Sequence, residues 1–146
     1  MIQINNQIDG FQIAKAIPRN YNPDCDIVIS HRSSEGKLLG GVIFDGYTHN
    51  CIFIHQAGFD KRWLTGNMLW IAFDYPFNKL KVSKLAGTIN SKNESLLAFN
   101  KKLGFTEECR IKDAYPDGDM IVMTMTREQC KWLKLKPRFP QIERAA

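Results

Sequence analysis

Residues 91–105, SKNESLLAFNKKLGF, follow the apolar run KLAGTI and decide how the chain is read. Locally they describe a short helix with a polar start and a Leu-Gly-Phe end. Ser91 and Glu94 have the spacing of a capping box, in which hydroxyl and carboxylate each satisfy a backbone N–H left free by the first turn. Leu96, Phe99 and Leu103 fall at i, i+3 and i+7 and predict one buried stripe. Lys101 and Lys102 lie at the negative end of the helix dipole, and Gly104 suits the left-handed position that ends a helix. KLAGTIN (84–90) before it and FTEECRIK (105–112) after it read as strands.

Upstream, CDIVISHR (25–32), KLLGGVIFDGY (37–47) and CIFIHQA (51–57) predict consecutive antiparallel strands, joined at SSEG and at Tyr47–Asn50. Ile2 and Ile4 open a short strand, FQIAKAI predicts a two-turn helix that stops before Pro18, and NYNPDCD reads as a loop. The segment LTGNMLWIAFDYPFNKL (64–80) is the longest helix expected. Leu69, Ala72, Phe73, Phe77 and Leu80 share its inner face, Asp74 and Asn78 face away, and Pro76 breaks or kinks its last turn. DMIVMTMT (119–126) pairs with 105–112 across the turn AYPDG, and a short helix, REQCKWLKL, closes the domain. Strands on both sides of two sequential helices make an α+β (mixed α/β) fold with a central mixed, mostly antiparallel sheet flanked by helices. Residues 1–135 are expected to form one domain and 136–146 a basic tail.

The 146 residues suffice for one domain with a real core, at 44% hydrophobic and 24% charged. No stretch is apolar enough to span a bilayer, and MIQINNQIDGFQ lacks a leader's basic and apolar parts, so a soluble, cytoplasmic protein is expected. Cys25, Cys51, Cys109 and Cys130 lie far apart without a C-x-x-C pair, which argues against zinc and against a disulfide framework. No metal is expected. The net charge of +5 owes much to KWLKLKPRFPQIER and favours polyanions, but no nucleic-acid-binding motif is present.

In that order of elements, the run N-x-S-x-L-x-F-x-K-x-L-G-F between two strands resembles the end of the GCN5-related N-acetyltransferase (GNAT) domain. Together with RIKDAYPDGDMIVMTMTREQCKWL it is most similar to the branch that acetylates ribosomal-protein N-termini. The resemblance spans residues 25–133. It implies a splayed parallel pair formed by CIFIHQAGF (51–59) and KLAGTIN (84–90), with the pantetheine arm of acetyl-CoA in the gap as an added strand would lie. It also implies pyrophosphate at the N-terminus of the helix beginning near Thr65, with Lys61 and Arg62 adding charge. There the chain departs from the family loop. Thr65 and Asn67 stand where small residues are usual, and Gly66 falls between the usual glycine positions. Asn100 replaces the Tyr that often protonates the leaving thiolate, and an amide cannot act as that acid. Ser95 is the nearest substitute.

The chemistry implied is transfer of acetyl from acetyl-CoA to a primary amine, expected on a protein or peptide, with a small-molecule amine as a close variant. Backbone N–H groups of Gln56, Ala57 and Gly58 would polarise the thioester carbonyl. Asn93 and Asn100 would complete the cofactor contacts. His55, on a face shared with Cys51 and Phe53, is the candidate base, because an imidazole titrates near neutrality; a structural histidine is the alternative. His31 and His49 are expected in solvent. Asp113, Tyr115, Asp117 and Asp119 crowd the last hairpin. Pro116-Asp117-Gly118 is a turn in its own right, while Asp113 and Asp119 both stay open as carboxylates toward the acceptor amine, with Asp119 taken as the catalytic candidate. Trp63, Trp70, Phe73, Tyr75 and Phe77 read as packing.

Other readings remain: a GNAT-like module that has lost catalysis, or, on charge alone, a nucleic-acid-binding protein. Membrane is not an expected partner, and nucleic acid is disfavoured. The short stretch before the meander leaves the acceptor groove open or completed by a second copy, and it suits compact members of the kind found in bacteriophage genomes.

Overall fold

The computed structural model describes residues 1–135, 137 and 142–144. Its elements are β1 (Ile2–Ile4), α1 (Gln7–Ala16), β2 (Ile27–Arg32), β3 (Leu38–Asp45), β4 (Cys51–Gly58), α2 (Gly66–Asp74), β5 (Lys84–Asn90), α3 (Glu94–Leu103), β6 (Thr106–Tyr115), β7 (Gly118–Thr126) and β8 (Ile142–Arg144). They build one mixed sheet in the order β6-β7-β5-β4-β3-β2-β1-β8. All neighbours are antiparallel except β4 with β5 and β1 with β8. The strand β8 falls within the segment expected to be a tail.

Each face of the sheet has its own cover. On one, Ile29, Val42, Phe44, Ile52, Leu85, Ile89, Ile121 and Met123 pack with Met68, Phe73 and Phe77 from the α2 region and Leu103 of α3. On the other, Val28 and Ile43 pack with Ile13 and Ala14 of α1 and with Tyr21. β3 is covered on both sides, which is why Leu39 to Phe44 are all buried.

α1 starts four residues earlier than expected, because Asn6 caps it by accepting from Asp9 N–H. Asp9 itself has no exposed surface. Arg32 forms two hydrogen bonds to its carboxylate and Ser30 Oγ donates a third at 2.5 Å, so the buried charge is paired.

α3 is capped by Asn93, whose Oδ1 accepts from Leu96 N–H, not by Ser91. Ser91 Oγ instead accepts from Asp119 N–H at 2.9 Å and ties the turn before α3 to the last hairpin. Gly104 ends the helix at φ 110°, as its position predicts. The α2 region also differs from a single helix. After Asp74 the chain widens into a π-helical turn, Tyr75–Lys79, where Pro76 can supply no N–H. Asp74, expected outside, is buried and accepts from Asn78 Nδ2 at 2.7 Å. The closing helix reduces to a turn at 127–129 and a 3₁₀ turn, Trp132–Leu135. Among the described residues, no helix is long and apolar enough to cross a membrane.

Candidate active site

The parallel pairing of β4 with β5 covers only Cys51–Phe53 against Lys84–Ala86. Beyond that, β4 continues to Gly58 along β3 and β5 continues to Asn90 along β7, so their facing edges part. A cavity of about 210 Å³ opens in the gap. Ile54, His55 and Gln56 line it from β4, and Gly87, Thr88 and Ile89 from β5. Ala72 and Phe73 of α2 and Leu96 and Leu103 of α3 form its apolar wall, which the Asn100 amide of α3 interrupts. Ile17, just after α1, and Tyr115, at the end of β6, also border it. Residues from both sides of the sheet therefore meet in one cavity that passes through the splay.

His55 is held on this border. Its Nε2 lies 2.9 Å from Asp45 Oδ1, and the Arg19 guanidinium pairs with the other carboxylate oxygen. Among the described residues, His55 Nδ1 has no hydrogen-bond partner. Burial would raise the Asp45 carboxyl, but hydrogen bonds from His55 and Arg19 outweigh it and hold the group below its ordinary value. Asp45 was not singled out from the sequence. Its signal was strand register: Asp45 faces Phe53 and Ile43 faces His55, which makes Asp45 and His55 diagonal neighbours on one face.

α2 opens near the cavity. Thr65 caps it by accepting from Met68 N–H at 3.2 Å, which leaves the Gly66 and Asn67 N–H groups at the positive dipole end. A Cβ built on Gly66 would have no atom within 4 Å, so the first turn is open to a ligand. Lys61 and Arg62 are exposed, but Arg62 is engaged. Its Nε and terminal nitrogen bond both oxygens of Asp60, at 3.0 and 2.9 Å. The hydrogen bond from Arg62 pushes Asp60 well below the usual carboxylate range.

Trp63, read as packing, shapes this approach. Its indole lies where a Cβ on Gly40 would come within 2.8 Å, and a Cβ on Gly58 would overlap its ring nitrogen. Its carbonyl is 2.7 Å from His31 Nδ1, so His31 is half-buried and bonded and not in solvent as expected. His49 is exposed.

Of the expected site residues, His55, Gln56 and Asn100 line the cavity. Ala57 packs toward α1, and Gly58 lies beneath Trp63. Asn93 is used as the α3 cap, and exposed Ser95 donates its hydroxyl to Asn93 Oδ1 at 3.2 Å. Asp119 accepts from Asp113 N–H at 3.0 Å in a separate polar hollow shared with Ser91, Tyr115 and Asp117. Asp117 accepts from Asn90 Nδ2 at 2.8 Å, in keeping with a turn role.

No family model matches the chain, and no curated protein matches it. Solved structures do. A single-site mutant of spermidine N-acetyltransferase from Vibrio cholerae is 17% identical, over 78% of this chain and 72% of its own, with a TM-score of 0.63. The same enzyme solved with CoA and spermine is 16% identical over 73% and 68%, with a TM-score of 0.62. A third structure, in complex with manganese ions, is 19% identical over 78% and 71%, with a TM-score of 0.59. At such identities the likeness is one of fold: the chain has the GNAT-like architecture, with the splayed β4–β5 pair at its centre.

Proposed function

We propose that the chain is an acetyl-CoA-dependent N-acetyltransferase acting on a primary amine. The observation that carries this reading is the splay: two parallel strands that pair for three residues and then part over a cavity with a helix N-terminus beside it. The free edges of β4 past Phe53 and β5 past Ala86 can bond the amides of a pantetheine arm. Gly66 and Asn67 N–H groups suit its pyrophosphate. Bound acetyl-CoA supplies an activated acyl group. Gln56 is positioned to help orient the carbonyl, and His55, backed by Asp45, to accept the proton that the amine sheds through its free Nδ1.

For the acceptor, a small polyamine is the better reading. The matched structures are spermidine transferases, one of them holding spermine. The protein or peptide acceptor, like the ribosomal-protein branch, rests on the sequence resemblance alone. One observation favours a second reading, a binding module without catalysis: the Arg62 guanidinium is spent on Asp60.

The test is mass spectrometry of spermidine and of an alanine-initiated peptide incubated with acetyl-CoA and the chain. Acetylated spermidine supports the reading, acetylated peptide moves it to the other acceptor, and neither product from a folded sample favours the module.

A further inference from the structure

Acyl transfer to an amine moves two protons at two different atoms. One leaves the attacking nitrogen and one reaches the departing sulfur, and these atoms lie on opposite sides of the carbonyl carbon. A single ring nitrogen cannot serve both at once. Among the described residues, the cavity's lining contains two side chains with a titratable proton, His55 and Tyr115. His55 has one nitrogen committed to Asp45. Asn100, on the α3 wall, can hydrogen-bond a thiolate but cannot transfer a proton to it.

Tyr115 is well placed for the second task. It ends β6, pairs in register with Gly118 across the hairpin, and is half-buried. It borders both the apolar cavity and the polar hollow of Asp113, Asp117 and Asp119, so it stands where the cleft meets water. Among the described residues its hydroxyl makes no hydrogen bond, whereas the neighbouring Ser91, Asp117 and Asp119 side chains are all engaged.

We propose that Tyr115 is the general acid of the transfer, donating its phenolic proton to the leaving sulfur from the β6–β7 hairpin, at the border of the cavity that Asn100 also lines. This rests on the transferase reading above. The neutral amine's lone pair forms the C–N bond, and the C–S bond breaks with its electron pair on sulfur. The amine proton goes to His55 Nδ1, and the Tyr115 proton goes to sulfur. Return of the His55 proton to the tyrosinate through water restores both groups, leaving amide and thiol.

The test compares the wild type, Tyr115→Phe, and Tyr115→Phe combined with Asn100→Tyr. Calorimetry of CoA and desulfo-CoA across alkaline pH gives a readout independent of turnover. CoA should bind the wild type more tightly as its thiol ionises, through the Tyr115 hydrogen bond, and should lose that trend in Tyr115→Phe. Desulfo-CoA should show no such trend with either. With spermidine as acceptor, Tyr115→Phe should lose about 10²-fold in kcat at unchanged acetyl-CoA affinity. Adding Asn100→Tyr should restore part of it by placing a phenol on the α3 wall of the same cavity. Wild-type kcat and wild-type pH dependence in Tyr115→Phe would overturn the assignment while leaving the transferase reading intact. Loss of acetyl-CoA binding in that variant would also overturn it, making Tyr115 a part of the wall. A wild type that neither binds nor turns over acetyl-CoA would overturn the transferase reading and the assignment with it.

Discussion

Asp45 serves two partners with one carboxylate, His55 Nε2 on Oδ1 and the Arg19 guanidinium on Oδ2. Because its pKa is lowered in the folded chain, its contribution to stability is fully present above the unfolded value of about 3.9. It is lost as pH falls through the lower folded value. Asp45→Asn should therefore cost about 1–3 kcal/mol at neutral pH and flatten the loss of stability on the acid side, read by thermal melts from pH 7 downward. His55→Ala should lower kcat about 10²-fold or more, and Asp45→Asn by a smaller factor, because the ring remains but is less firmly held. In the loop before α2 the sign reverses. Asp60→Asn releases Arg62 and removes a carboxylate from the loop before α2, so under the proposed pyrophosphate placement acetyl-CoA affinity should rise roughly 2–5-fold at low salt. An unchanged affinity would show that Arg62 does not face the phosphates.

At the scale of elements, the sequence was most legible where pattern and packing agree. The three strand runs of β2 to β4, the apolar stripe of α3 and the glycine after it all fold where the sequence puts them. It was least legible where polar side chains had a choice of partner. Ser91 has capping-box spacing but bonds the hairpin, because Asn93 sits closer to the turn that starts α3. Asp74 has an outward position on an ideal helix, but the π turn at Pro76 brings Asn78 to it. Trp63 reads as ordinary packing because its seat is made by two glycines on neighbouring strands, Gly40 and Gly58, a pairing that register alone reveals. That seat can be tested. Gly58→Ala places a Cβ on the Trp63 indole, and should shift the loop, weaken acetyl-CoA binding and quench or move the tryptophan emission. Normal binding with an unshifted spectrum would show that the indole yields without moving the loop. Thr65→Ala should cost about 1 kcal/mol by removing the α2 cap at Met68 N–H.

For the whole molecule, the arrangement assigns separate tasks to the two faces. The α2–α3 face supplies the apolar wall, the α1 face supplies His55, Asp45 and Arg19, and the splay joins them. Element order could be read from apolar pattern and turn residues, and the parallel pair from the GNAT-like resemblance that this order carries. The polar contacts that tune the site could not, since they depend on diagonal neighbours across strands and on loops that close over glycines. The proposed function stands or falls on acetyl-CoA entering the splay. Calorimetric titration of the purified chain with acetyl-CoA, with desulfo-CoA and ATP as controls, tests it most directly. Saturable binding of acetyl-CoA and desulfo-CoA at about micromolar Kd, with ATP much weaker, is the predicted result. A folded chain that binds neither thioester nor desulfo-CoA would contradict the account.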